Sequence, residues 1–154
     1  MEIRRATAAD AAVLAQLNRH VHELHVAAEP RIYKPTSDED VAAWFAGRMK
    51  AGDTAFLAFE DAEPLGYALA RVMERAAHVF GHPRRYVLVD QLAVVRSTRR
   101  RGAGRALMNA AEAFARESGV DGVELDVRAS NPDAIAFYTA LGYRSEQLHL
   151  RREL

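Results

Sequence analysis

The chain has 154 residues, 49% of them hydrophobic and 27% charged, the profile expected of one soluble globular domain with a core of its own. It has no cysteine, which excludes disulfides, thiolate metal sites and a thiolate nucleophile. Its 21 basic and 21 acidic residues cancel, so no overall field draws it to nucleic acid or anionic lipid, and neither partner is expected.

Residues 1–5 read as a short strand around Ile3. Thr7 and Asp10 then have the spacing of a capping box. Behind them Val13, Leu14, Leu17, Val21 and Leu24 form one apolar helical stripe. Pro30 and Pro35 bracket a loop. The capping pattern recurs at Thr36 and Glu39, and Val41, Trp44, Phe45 and Met49 give a second amphipathic helix that stops at Gly52. Residues 54–59 and 65–73 read as a hairpin across a polar turn. Residues 74–85 are a polar excursion with His78 and His82. Residues 86–95 are the longest β-like run. A basic, glycine-bearing turn follows at 96–105. Leu107, Ala110, Ala111 and Phe114 then continue as a helix to about Ser118. Residues 120–127 read as a strand. Asn131 and Pro132 start a last helix, with Ile135, Tyr138 and Leu141 on one face and Gly142 as its stop. Residues 143–154 alternate weakly and are expected to supply one or two further strands.

The resulting order, β-α-α-β-β-β-α-β-α-β, predicts a single mixed α+β domain over residues 1–154, built on one sheet. No segment approaches the roughly 20 apolar residues of a membrane span. The N-terminal stretch has no apolar core of signal-peptide length, so a cytoplasmic location is expected. His20, His22 and His25 lack the spacing and the third ligand of a metal site, and no metal is expected.

The strongest chemical signal is the turn Arg99-Arg100-Arg101-Gly102-Ala103-Gly104-Arg105 between an apolar strand and a helix. A helix start presents unpaired N–H groups and a partial positive charge. Glycines let a ligand approach the backbone, and arginines add potential. The combination suits a phosphate or pyrophosphate. It matches neither a P-loop nor a dinucleotide fingerprint. Nucleic-acid binding through these arginines is disfavoured, because they fall on one turn with no aromatic platform beside them.

Gln91-Leu92-Ala93-Val94 followed by Arg99-x-x-Gly102-x-Gly104 resembles the acetyl-CoA signature of the GCN5-related N-acetyltransferases (the GNAT superfamily). Asn131, Ala134, Tyr138, Gly142 and Tyr143 are similar to that family's downstream motif, in the expected order. The resemblance is strongest over residues 86–143. It implies a mostly antiparallel central sheet flanked by helices, the acyl-CoA N-acyltransferase fold. It further implies that amides from Arg100 to Arg105 cradle the CoA pyrophosphate, and that backbone groups of Leu92 and Val94 pair with the pantetheine arm like an added strand. Asn131 would contact that arm, and Tyr138 would protonate the leaving thiolate. Arg100 departs from the pattern, since many relatives have glycine there. Ala93 and Val95 are small and apolar where relatives often carry larger or polar groups.

The implied activity moves an acetyl group from acetyl-CoA to a primary amine of a small molecule or peptide. Direct attack in a ternary complex follows from the lack of a cysteine for an acyl-enzyme. The alternative is a non-catalytic acyl-CoA sensor or partner module of the same fold. An attacking amine must shed a proton. Asp90, a charge inside an apolar strand, is either the base or half of an ion pair with an arginine such as Arg71 or Arg128. Strict alternation puts Leu88, Asp90, Leu92 and Val94 on one face and Gln91 on the other, whereas a bulge would bring Gln91 into the cleft. The acceptor pocket is expected from residues 20–35 and 74–85. Glu29 suits a cationic amine, Arg31 and Lys34 suit a carboxylate, and Tyr33 is a further contact. An exposed last strand offers an edge for a second copy, so a homodimer is a further possibility.

Overall fold

The computed structural model describes every residue except 99 and 100. Among the described residues the strands and α-helices are, in order, β1 (Glu2–Arg5), α1 (Ala11–Ala28), α2 (Asp38–Lys50), β2 (Thr54–Glu60), β3 (Glu63–Arg75), β4 (Arg84–Val94), α3 (Ala103–Glu117), β5 (Val123–Leu125) and α4 (Pro132–Ala140). Short 3-10 turns precede α1 and α3.

The capping box forms as its spacing requires. The Thr7 N–H and hydroxyl both donate to the Asp10 carboxylate, and Arg4 donates to it at 2.7 Å. These donors hold the Asp10 carboxyl well below the usual carboxylate range. The second helix is capped one residue later than its pattern suggests. Ser37 Oγ, not Thr36, accepts from the Asp40 N–H at 3.1 Å.

The strands form one sheet in the order β1-β2-β3-β4-β5. The first three pairings are antiparallel, and β5 runs parallel to β4. A two-residue turn at Asp61 and Ala62, both at positive φ, joins β2 to β3. Residues 74–85 are not an irregular excursion. β3 continues to Arg75, β4 begins at Arg84, and a His78–Gly81 bridge closes the tip. The expected strand over 120–127 shortens to Val123–Leu125, and residues 144–154 form none of the expected last strands.

Two apolar layers sandwich the sheet. On one face Phe56, Ala58, Ala68, Ala70, Val87 and Val89 pack against Leu107, Met108 and Ala111 of α3, with Phe137 of α4 and its C-cap Leu141 beside them. On the other, Leu57, Tyr67, Leu69 and Ala93 pack against Leu14 and Leu17 of α1 and Phe45 of α2. Most of each helical stripe read from the sequence is turned inward here, but Leu24, Trp44 and Ile135 are exposed.

Candidate functional site

β4 carries a bulge at the centre of the molecule. Leu69 faces Gln91 but its neighbour Ala70 faces Val89, so Asp90 is an extra residue. Of the two readings of this strand, the bulge is the one that forms, and strict alternation is broken here. Val87, Val89, Leu92 and Val94 all turn to the α3 layer, while Ala93 and Val95 pack on the α1/α2 side.

Beyond the bulge the sheet opens. β4 and β5 pair only from Val87↔Val123 to Val89↔Leu125, yet β4 runs on to Val94. The Val95 N–H donates to the Leu65 carbonyl at 2.8 Å, toward β3. Alternation then turns the N–H and C=O groups of Leu92 and Val94 toward the parted side.

At the end of this edge Thr98 is buried and its hydroxyl donates to the Val95 carbonyl at 2.8 Å. Gly102, at φ +89°, is the N-cap of α3 and supplies no side-chain cap. A Cβ at Gly102 would meet nothing within 4 Å, so its surroundings are open. The first bond of the helix runs from the Ala106 N–H to the Gly102 carbonyl. Among the described residues no backbone bond satisfies the N–H groups of Ala103, Gly104 and Arg105. Donors at a helix start, together with the helix dipole, suit an anion.

Individual positions differ from their expected parts. A Cβ on Gly104 would lie 3.0 Å from Phe137 Cζ and 3.7 Å from Val94 Cγ2. Gly104 thus lets α3, α4 and β4 approach closely, and the open glycine is Gly102. The Ala103 side chain is buried, leaving only its amide to face a ligand. Arg101 bonds Glu60 at 3.2 Å, and Arg105 is exposed. Arg99 and Arg100 lie outside the described residues.

On α4, Asn131 caps its own helix, with Oδ1 accepting from the Ala134 N–H at 3.1 Å. Its amide Nδ2 remains to donate elsewhere. Tyr138 packs against Phe137 and Tyr143, at 5.1 and 6.0 Å between ring centres. Burial pushes its phenol up to about 12. Its hydroxyl takes no hydrogen bond among the described residues.

The opposite face carries polar groups. Asp90 bonds Arg48 at 2.9 Å, and Arg48 also bonds Asp53 and lies over the Trp44 ring at 4.8 Å. The arginine beside Asp90 is therefore Arg48 of α2, not Arg71 or Arg128. Arg128 goes instead to Glu29 at 3.5 Å and to the Tyr33 hydroxyl at 3.4 Å, and Ser130 donates to Glu29. These bonds join the loop after α1 to the loop after β5. His25 lies against Tyr33, and burial is the main influence holding its imidazole below the usual range. Arg31 meets Glu153 at 3.6 Å, and His22 bonds the Lys34 carbonyl. His78 and His82 sit at the far tip of the β3–β4 hairpin, with residues 84–89 of β4 between them and Asp90.

On the α1/α2 face, Tyr67 donates to Gln91 Oε1 at 2.6 Å and accepts from Asn18 Nδ2 at 2.8 Å, and Asn18 also reaches Gln91. Burial raises the Tyr67 phenol above its ordinary value, so it stays a donor. With Oε1 occupied, the Gln91 amide N–H groups remain available. Asn18 also lines a groove of about 310 Å³ between α1 and α2, with His22, Glu23, Val26 and Val41. Sequence reasoning missed Asn18, Tyr67, Arg48 and Asp53. The one signal was Asn18, a polar residue inside an apolar stripe.

The sequence model of the acetyltransferase (GNAT) family matches residues 18–143. A search of curated protein sequences gives no match. Among solved structures, a tetramutant of the BH1408 protein from Bacillus halodurans is 26% identical, with each chain covered in full and a TM-score of 0.93. The aminoglycoside N-acetyltransferase AAC(6')-Iy in complex with CoA is 21% identical over 99% of this chain and 93% of its own, with a TM-score of 0.77. A Trypanosoma brucei acetyltransferase is 22% identical over 99% of both chains, with a TM-score of 0.71. The extent of the family match, on a fold shared with these proteins, places this chain in the acetyltransferase (GNAT) family.

Proposed function

We propose that this chain transfers an acetyl group from acetyl-CoA to a primary amine of a small molecule or peptide, by direct attack in a ternary complex. One observation carries the reading. β4 parts from β5 after Val89↔Leu125, leaving Leu92 and Val94 unpaired on that side, and α3 starts at Gly102 with open space about it and, among the described residues, no backbone acceptor for the N–H groups of Ala103, Gly104 and Arg105. These features suit a long polar arm ending in a pyrophosphate, which is the shape of CoA. The fold's likeness to a relative solved with CoA agrees with it.

The amides of Ala103, Gly104 and Arg105 hold the pyrophosphate, with Arg101 and Arg105 adding positive potential. Leu92 and Val94 bind the arm as an added strand. The donor supplies an acyl carbon on a thiol leaving group. Main-chain N–H groups next to the bulge polarise its carbonyl. As the amine nitrogen bonds to that carbon and the carbon–sulfur bond breaks, Tyr138 gives its proton to the sulfur. Its raised pKa keeps that proton available across the working range. Asp90, held by Arg48, receives the amine's proton directly or through water. The Gln91 amide, oriented by Tyr67 and Asn18, faces the acceptor.

The acceptor approaches from the α1/α2 side, past Glu29 and Tyr33. A small molecule suits this mouth, and an acetyltransferase of this fold has been solved in complex with sisomicin. Calorimetry with acetyl-CoA, followed by thiol release over a panel of amines, tests the proposal. Binding and release on one amine class are expected. Absence of acetyl-CoA binding would overturn it, and binding without release on any amine would favour the sensor alternative.

A further inference from the structure

Near the C-terminal end of α2, the α1/α2 face of the sheet carries two arginines and two aspartates. Arg48 engages both carboxylates, Asp53 at 2.5 Å and Asp90 at 2.9 Å. The other arginine is Arg71. Leu69 packs in the α1/α2 layer, while Ala70 and Val72 pack in the α3 layer, so alternation sets Arg71 on the α1/α2 face. Thr54 faces Ala70 across the β2–β3 pair, which brings Asp53 alongside Arg71. Leu88 faces Arg71 across the β3–β4 pair, and Asp90 lies two residues further on. Arg71 therefore stands between the two aspartates that Arg48 holds.

This cluster has more donors than acceptors. Among the described residues, two buried side-chain polar atoms have no hydrogen-bond partner, Arg48 Nη2 and Arg71 Nε. Both lie in this one place, and buried donors without an acceptor are rare enough to call for a cause. Arg71 also makes no ion pair among the described residues, because the aspartates beside it go to Arg48. Arg75 and Arg84, further along the same side, bond the Tyr86 hydroxyl and Glu124. Arg71 is half-buried, so part of it still faces solvent.

The missing acceptor is an anion, and the acceptor amine can bring it. The next step rests on the transferase reading above, in which Asp90 receives the amine. Two arginines and two aspartates are neutral together, and an ammonium arriving at Asp90 adds one positive charge. A carboxylate on the same molecule cancels that charge and gives Arg71 its partner. We propose that the acceptor is an α-amino acid with a free carboxylate, its amine at Asp90 and its carboxylate on Arg71. Diagonal neighbours on adjacent strands hold their Cβ atoms about 7–8 Å apart, a gap that an amine and a carboxylate on one carbon bridge with the long arginine side chain. The planar guanidinium fork matches a carboxylate. A polyamine, or a peptide terminus with no acid nearby, leaves Arg71 unpaired and adds a cation beside it.

The first test needs no variant. Thiol release from acetyl-CoA is followed with the standard α-amino acids, their methyl esters and their decarboxylated amines. At least one amino acid should react, with kcat/KM roughly 10- to 100-fold above its ester and amine, the weight of a hydrogen-bonded charge pair. Arg71→Gln should raise KM for that amino acid and remove its advantage over the ester, while Arg71→Lys should keep part of the advantage. An ester or amine used as well as the acid would overturn the proposal and leave the transferase reading standing. So would an Arg71→Gln variant that slows acid and ester equally. A second arm does not depend on turnover. In calorimetry with CoA present, the N-acetyl derivative of an amino acid should bind more tightly than its methyl ester, and Arg71→Gln should abolish the difference. That preference without thiol release from any amine would support the carboxylate site and overturn the transferase reading. Equal binding of acid and ester would overturn the site.

Discussion

On the α3/α4 face of the sheet the buried cluster is apolar throughout: Phe56, Ala58, Ala68, Ala70, Val87, Val89, Leu107 and Met108. On the α1/α2 face the buried Tyr67 bonds Asn18 and Gln91, and Arg48 joins Asp53 to Asp90. The first face offers a ligand main-chain groups and open space, with Tyr138 as the exception. The second offers oriented side chains. In the proposed function, donor recognition through amides would tolerate many side-chain changes, provided that Gly102 keeps its positive φ. Acceptor recognition through side chains is where relatives of one fold can differ.

The sharpest test of this division is Tyr138→Phe. We expect kcat to fall by about 100-fold or more, the usual weight of a positioned proton donor, with acetyl-CoA affinity nearly unchanged. Because the phenol is pushed up to about 12, kcat should show no alkaline loss from this group below about pH 10. An equal loss of affinity would make Tyr138 a packing residue instead.

The two glycines of the loop should part company. Gly104→Val drives a side chain into Phe137 and should cost roughly 1–3 kcal/mol of stability, read as a lower Tm. Gly102→Val meets open space at φ +89°, so about 1–2 kcal/mol of backbone strain is expected, and most of its effect should appear as weaker acetyl-CoA binding. Equal effects on Tm and affinity for both variants would erase the distinction.

On the other face, Arg48→Gln leaves Asp53 and Asp90 without their cation and should cost about 1–3 kcal/mol in chemical denaturation, with acetyl-CoA binding retained. Tyr67→Phe removes two hydrogen bonds, one to Gln91 and one from Asn18, and leaves Gln91 held by Asn18 alone. It should cost about 1–3 kcal/mol and lower kcat/KM for the amine by roughly tenfold, a difference of about 1.4 kcal/mol. A changed acetyl-CoA Kd in either variant would break the division between faces.

The smallest effect concerns pH and the fold itself. Burial raises the Tyr67 and Tyr138 phenols, so the native state holds these protons more tightly than the unfolded chain. Their stabilising effect is complete below the unfolded value of about 10 and is lost as pH rises through and beyond it. Denaturation midpoints should be flat from pH 7 to about 9.5 and fall above it, less steeply in Tyr138→Phe.

Much of the molecule was legible in the chain of residues. Thr7 and Asp10, Asn131 and Pro132, and the stripes of α1 and α3 are local patterns, because capping and a 3.6-residue period involve neighbours in sequence. The family motif over residues 86–143 likewise lies in one continuous stretch. The last strands failed for the same reason in reverse. Alternation at Leu148 and Leu150 states a preference for strand, but a strand exists only where an edge accepts it.

What the sequence by itself determined was the order of the elements, their apolar faces and the glycine-bearing helix start that suits an anion. Tertiary structure alone decided that Asp90 is the bulged residue, that Arg48, 42 positions away, is its partner, that Gly104 belongs to packing and Gly102 to open space, and that Glu29 meets Arg128. Each of these depends on which distant backbones lie within a few ångströms of one another, and no local spacing encodes that distance.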